Sequence, residues 1–540
     1  MLSDMKDTDP YSSEAGVCEK KGASITEEPV SRIPKLLLIL FYIGAFIAIF
    51  VAGMQPVIPA SFFVAAAGIW GVGVSSLWML GTYLIGYVSF ILPASRASEV
   101  IGRLATFWFG IVLFVVFTGV SGHAATSYTF GVLRAFQGIG AGIVTSVAVL
   151  VVGSHMSDRS RALAVGGLCA AQLLGIGSAH TIGGRLAEDG HFRWGIYLAA
   201  PLMGAAAFLC TPALIFDRKP VRDESVMRRV LRFDYIGTLL LTGGSIMQTM
   251  GMTFGGNEYA WNSTIVLCLI VFGVISVAVF LAWEKLGASR PIFNTRWLRE
   301  RNLWVTTAST VLMSMVFFAL AIYIPILYIT TRSMSTDVAG RRAAPFWGMT
   351  VGGAVLAGVV IRVRASLARP VAWIGLLLGV IFTGLFYTIP LLGNEPKERA
   401  FYAMAGLGIG LAYPAVTYIA QVSVPLDDAG AAAVTSHFLS LVGGMLGLVL
   451  YQACLKSRLI YNMTPVFQNN ALLASIDIGS MDIATLESSG HMLLGYVPSM
   501  AGLIGQKLVD SLHTTYIISV PFLGVALILT LLYKNHAMRA

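Results

Sequence analysis

Three ionisable side chains stand inside long apolar runs: Arg134, His180 and His437. A guanidinium or imidazole in hydrocarbon is costly, so each is a candidate for ion movement, ligand binding or charge coupling. Arg134 is the clearest case, because nothing cheaper explains a guanidinium among apolar neighbours. One hydrogen bond to a backbone carbonyl would account for His180 structurally, and His437 falls near the start of its run. Neither histidine has an acid or activated nucleophile spaced to act with it. A membrane-embedded enzyme, such as an acyltransferase using His180 or His437, is therefore a remote alternative, and the chain is expected not to be an enzyme. Five cysteines, Cys18, Cys169, Cys210, Cys268 and Cys454, show no CxxC spacing. Neither a zinc site nor a disulfide scaffold is indicated, and no metal or cofactor is expected.

What must position these side chains is a bundle of membrane helices. The 540 residues are 56% hydrophobic and only 12% charged, about half the charge of a soluble domain. The net charge of +9 could suggest nucleic acid, but the basic residues are scattered through short connections rather than gathered on one face. Apolar runs predict fourteen spans near 35–59, 72–92, 104–120, 127–152, 161–183, 194–216, 235–254, 263–283, 303–329, 345–361, 371–392, 400–424, 434–455 and 515–533. The polar, acid-bearing first 34 residues read as a disordered tail ahead of an uncleaved first span.

An even number of spans puts both termini on one side. Lys and Arg concentrate on that side, which predicts cytoplasmic termini; the loop with Asp427 and Asp428 is the exception. Two glycosylation sequons, Asn262-Ser-Thr and Asn462-Met-Thr, fall on the opposite side. Asn462 is the better candidate, since Asn262 adjoins a span. Leu503, Ile504, Leu508, Val509 and Leu512 recur at helical spacing, predicting a helix at the membrane surface or packed over the outer mouth.

Small residues four apart let helices approach closely in lipid. The pairs Gly138/Gly142, Gly348/Gly352, Gly375/Gly379, Gly406/Gly410 and Gly443/Gly447 predict tight helix contacts. The run Gly138-Ile-Gly140-Ala-Gly142 follows no strand and opens no βαβ unit, so it is not a nucleotide loop. Pro56, Pro59, Pro325 and Pro414 predict kinks.

Between spans 2 and 3 the chain reads Ser95-Arg-Ala-Ser-Glu99-Val-Ile-Gly102-Arg103, which resembles the GxLaDrxGrR loop of the major facilitator superfamily. Leu133-Arg134-Ala-Phe-Gln137-Gly138-Ile-Gly140-Ala-Gly142 is similar to that family's span 4 motif. Gly175-Ile-Gly-Ser-Ala179-His180-Thr-Ile-Gly183-Gly184 is similar to the GxxxGPxxGG motif of its export branches. With Arg193-Trp194, Arg232-Phe-Asp234 and Phe254-Gly-Gly-Asn-Glu258-Tyr-Ala-Trp261, the set resembles the fourteen-span drug:proton antiporters, fungal ones especially.

The resemblance implies an all-α polytopic major facilitator fold. A cytoplasmic tail (1–34) precedes an N-terminal six-helix half (35–216). A linker with two inserted spans (217–302) leads to a C-terminal half (303–533) that includes an outer loop (456–514), and residues 534–540 form a cytoplasmic end. It also implies a latch or coupling set of Glu99, Arg103, Arg134 and His180. Two departures matter. Ala179 and His180 replace the Gly-Pro of span 5, and Gln55 stands where span 1 often carries an acid, so proton carriage falls to His180 or Glu99. Among the amides and aromatics of the spans, including Trp70, Tyr83 and Trp347, those taken to face a substrate cavity are Gln55, Gln137, Gln172 and Tyr413.

The function implied is secondary active export of amphipathic small molecules (a drug, toxin or secondary metabolite) coupled to protons, by a monomer in the plasma membrane or, alternatively, a vacuolar or vesicle membrane. The expected partners are the small-molecule substrate, the proton and the lipid bilayer, with no nucleic acid. Import of a nutrient or siderophore-type iron chelate is the alternative.

Overall fold

The computed structural model describes residues 33–59, 61, 76–156, 158–217, 233–256, 259–287, 300–332, 334–389, 395–425, 428–468 and 501–533. Trp70, Asp427, nearly all of the first 34 residues and the final seven lie outside them. Among the described residues fourteen long helical segments follow one another: α1 (Lys35–Met54), α2 (Ser76–Ile101), α3 (Arg103–Ser121), α4 (Ser127–His155), α5 (Asp158–Glu188), α6 (Phe192–Tyr197 continuing as Ala199–Phe216) and α7 (Tyr235–Phe254). They continue as α8 (Thr264–Leu286), α9 (Arg301–Arg332), α10 (Thr336–Val363), α11 (Ala368–Leu385), α12 (Glu395–Val422), α13 (Ala429–Gln468) and α14 (Ala501–Ile517 continuing as Ser519–Leu531). Thirteen are long and apolar enough to cross a membrane; α7, interrupted by Gly, Ser and Thr, is less apolar. Among the described residues there is no strand, only one bridge between Gly255 and Tyr259.

Several helices outrun the apolar segments that predict them. α2 continues past 92 to Ile101 and α13 past 455 to Gln468, while the helix expected at 503–512 begins at Ala501 and runs into the last span. Polar residues end an apolar run without ending a helix. In the extension of α2, Ser95 donates to the Leu92 carbonyl, Ser98 to the Ser95 carbonyl, and Arg96 pairs with Glu99 at 2.8 Å. The extension stops at Gly102, whose φ of +112° suits a residue without a β-carbon and starts α3 at Arg103.

α1 packs on α5 and α6, while α4 takes α2 and α3; in the second set α12 takes α10 and α11, and α9 takes α13 and α14. The two sets meet chiefly where α5 lies along α10, with lighter contact of α13 on α4 and α2. α7 leans on α2 and carries α8 outside it. Most predicted glycine pairs do bring helices together. A β-carbon on Gly142 would lie 2.6 Å from the Tyr87 carbonyl oxygen, and one on Gly443 2.5 Å from that of Val311. Gly348 and Gly352 are the exception: both face open space, and the neighbouring Gly353 makes the approach to α12 instead.

Candidate functional site

The break that ends α1 creates the first polar cluster. A helical carbonyl normally accepts from the amide four residues on, but the residue four beyond Gln55 is Pro59, which has no N–H. The orphaned Gln55 carbonyl accepts instead from Nη2 of Arg134 on α4. Nη1 of the same guanidinium donates to Gln55 Oε1 at 2.6 Å and to Gln137 Oε1 at 2.7 Å. Gln137 Nε2 donates to Thr118 on α3 at 2.7 Å and to Gln55 Oε1 at 3.2 Å. Arg134, Gln55, Gln137 and Thr118 are all fully buried. The guanidinium also lies 4.8 Å from the centre of the Tyr83 ring, whose electron-rich face attracts a cation. Among the described residues no carboxylate contacts Arg134: amide dipoles, a backbone carbonyl and a ring stand where a counter-ion would. Arg134 Nε and Gln55 Nε2 keep no partner among the described residues.

A second group lies where the two helix sets face each other. A cavity of about 40 Å³ is lined by Ile49, Val149, Gln172, Tyr413, Gln421, Ser436 and His437, among others, from α1, α4, α5, α12 and α13. His437 Nε2 is 3.1 Å from the Tyr87 hydroxyl, which bonds Thr145 at 3.3 Å. Tyr413 shares a hydrogen bond with Ser440, and Ser440 another, at 2.8 Å, with Ser314 on α9. A single water occupies about 30 Å³ in liquid, so this space is closed down far below the several hundred cubic ångströms of a drug-sized site. Glycines close it along the helix axes. A β-carbon on Gly153 (α4) would lie 2.7 Å from Gly430 Cα (α13), one on Gly166 (α5) 2.8 Å from the Ala354 carbonyl oxygen (α10), and one on Gly184, at the other end of α5, 2.6 Å from the Asp337 nitrogen.

The residues predicted to face one substrate cavity thus separate into two groups. Gln172 and Tyr413 share the cavity, whereas Gln55 and Gln137 are held in the Arg134 cluster. His180 lies in the α5–α10 contact, its ring stacked at 6.5 Å on that of Trp347, with Nδ1 unpartnered among the described residues.

Glu99 and Arg103 are not partners. Glu99 bonds Arg96 in the exposed end of α2, while Arg103 bonds Asp217 Oδ2 at 2.6 Å and His155 Nε2 lies 2.9 Å from Asp217 Oδ1. Starts and ends of three helices, α3, α4 and α6, are so tied together. Burial alone would raise the Asp217 carboxyl, but the His155 hydrogen bond and the Arg103 charge outweigh it and hold the group below its ordinary 3.8. Asp217 was legible only as the first charge after an apolar run. Glu398, missed in the same way, is buried and takes a two-pronged contact from Arg332, at 2.6 and 3.1 Å, with Tyr328 at 3.2 Å.

The two sequons differ in setting. Asn462 lies inside α13, half-buried, with Nδ2 donating to Ser511 at 2.9 Å, so the nitrogen that would carry a glycan is engaged against another helix. Asn262 is exposed in a turn just ahead of α8.

Comparison with known proteins places these features in a family. Residues 41–448 match the profile described as Major Facilitator Superfamily. The Acurin A biosynthesis cluster MFS-type transporter of Aspergillus aculeatus is 23% identical over 97% of this chain and 93% of its own. The MFS efflux transporter aclA of Aspergillus oryzae is 23% identical over 86% of this chain and 84% of its own. Among solved structures, the unoccupied, inward-facing bacterial homologue of the human lysosomal transporter Spinster matches with a TM-score of 0.56 and 15% identity, over 94% of this chain and 97% of that one.

Proposed function

Because the chain belongs to the Major Facilitator Superfamily, a family of multi-pass secondary transporters rather than enzymes, we propose that it exports amphipathic small organic molecules in exchange for protons. The cavity between the helix sets carries this reading. It draws lining from α1, α4, α5, α12 and α13, so motion of one set against the other changes its size and the side it faces. The closure by glycines at Gly153/Gly430, Gly166/Ala354 and Gly184/Asp337 corresponds to the occluded step of alternating access. Gln172, Gln421, Tyr413 and Ser436 offer hydrogen bonds within an apolar wall, which suits a ligand recognised by shape and a few polar groups. Names printed for relatives, an efflux transporter and a biosynthesis-cluster transporter, favour export of a secondary metabolite.

The proton carrier best supported is His437, an imidazole on the cavity wall hydrogen-bonded to Tyr87. His180 is wedged against Trp347 and Glu99 lies in the exposed end of α2. Both termini are cytoplasmic, in keeping with the distribution of Lys and Arg, and an exporter of this kind acts at the plasma membrane. The test is uphill efflux of a neutral dye from cells expressing the chain, with and without a protonophore. Efflux should stop with the protonophore and in His437→Gln, while downhill movement persists. Net inward accumulation would replace this reading with import.

A further inference from the structure

A larger cavity, about 260 Å³, lies at the outer edge of the join between the two helix sets, where α7 and α8 flank the light contact of α2 with α13. Its wall is apolar except for a few groups, and among the described residues no charged side chain lines it. Three of those groups, the side chains of Ser245 and Gln248 on α7 and Thr307 on α9, have no hydrogen-bonding partner among the described residues. Ser245 is 95% buried, being 5% exposed. An amide or hydroxyl at membrane depth without a partner is costly. Hydrocarbon would fill the cavity but leave all three groups unpaired; water would pair them but wet the apolar wall.

We propose that this cavity binds an uncharged amphiphile drawn from the bilayer, its apolar body against the α2–α13 wall and its hydrogen-bonding head on Gln248, Ser245 and Thr307. The inserted helices α7 and α8 then form the outer wall of a lateral binding site. α8, whose Val271, Phe272 and Ile275 face outward, borders the lipid from which the ligand comes. Only the step of equating this ligand with the exported cargo rests on the exporter reading; binding itself does not.

Trp304 lies on the wall and serves as the reporter. The whole chain is purified into phosphatidylcholine vesicles and its fluorescence is compared with that of Trp304→Phe, which isolates the Trp304 signal. The probes are bromododecanol and bromododecane at equal membrane concentrations. The alcohol should quench Trp304 saturably and about tenfold more tightly than the alkane, as one to two net hydrogen bonds require. In Gln248→Met the preference should fall to near parity. If that variant does not fold, Thr307→Val should lower the preference by about threefold. Equal, non-saturating quenching by both probes in the parent chain means that bilayer hydrocarbon fills the cavity and overturns the proposal, as does an unchanged preference in a folded variant. No gradient or efflux enters this measurement, so failure of the exporter reading leaves its outcome intact.

Discussion

Arg134 binds both oxygens of Gln55, the amide and the carbonyl that Pro59 leaves without a helical donor. The guanidinium therefore repairs the backbone of the α1 break and fixes α1 against α4 at the same point. Gln55→Leu removes the side-chain acceptor while the charge stays buried, and should destabilise the chain by about 2–3 kcal/mol. Gln55→Asp supplies a counter-ion and should be tolerated. Thermal unfolding of the purified variants in one detergent distinguishes them; equal melting of Leu and Asp variants would refute the role given to Gln55.

Gly153 and Gly430 control closure between the two helix sets at one end of the cavity. A valine at either position meets backbone rather than a flexible side chain, so the helices must move apart. Gly430→Val should retain the fold, raise the labelling of a cysteine placed at Ser436 by a membrane-impermeant maleimide, and slow efflux at least about tenfold. Labelling no faster than in the parent would contradict this.

The Asp217 contacts should give an acid-sensitive contribution to stability. A carboxyl that titrates below its ordinary 3.8 in the folded chain stabilises fully above that value and ceases to do so as pH falls through its lower folded value. With His155 and Arg103 both in place, Asp217→Asn should lower the melting temperature near neutral pH. The difference should shrink below about pH 4. A constant difference across that range would show that charge plays no part.

Gln172 and Tyr413 line the same cavity, and each offers one hydrogen bond. Gln172→Ala and Tyr413→Phe should each raise the apparent KM for an exported dye roughly three- to tenfold with surface expression unchanged. Gln137→Leu should act differently, lowering expression through the Arg134 cluster.

Asn462 should carry no glycan. Asn462→Gln should leave electrophoretic mobility unchanged, before and after endoglycosidase treatment, when the chain is made in a eukaryotic host. A band shift on substitution would show that the sequon is accessible after all.

Most of the fold was legible because an apolar run long enough to cross a membrane says where a helix is. It does not say where the helix stops: α2 and α13 continue through residues such as Arg96 and Lys456 because helical hydrogen bonds persist after hydropathy fades. Arg134 was legible as an outlier, but its partners were not. Gln55 is 79 residues away in sequence, and its carbonyl is available only because of a proline. Asp217 and Glu398 sit at helix ends, where a charge reads as ordinary loop, and only packing shows that they are buried. Gly348 and Gly352 show the limit of spacing alone: the periodicity was present, but the face pointed away from any neighbour.

The unequal joins between the two helix sets have a mechanical consequence. Along α5 and α10 the backbones approach closely at Gly166 and Gly184, with the His180 and Trp347 rings stacked between these points; such an edge can roll but resists sliding, as a piano hinge does. The opposite edge, where α2 and α13 touch lightly, is free to swing. A helix pair added on that edge rides on the moving leaf, and a molecule lodged there would be carried with each swing.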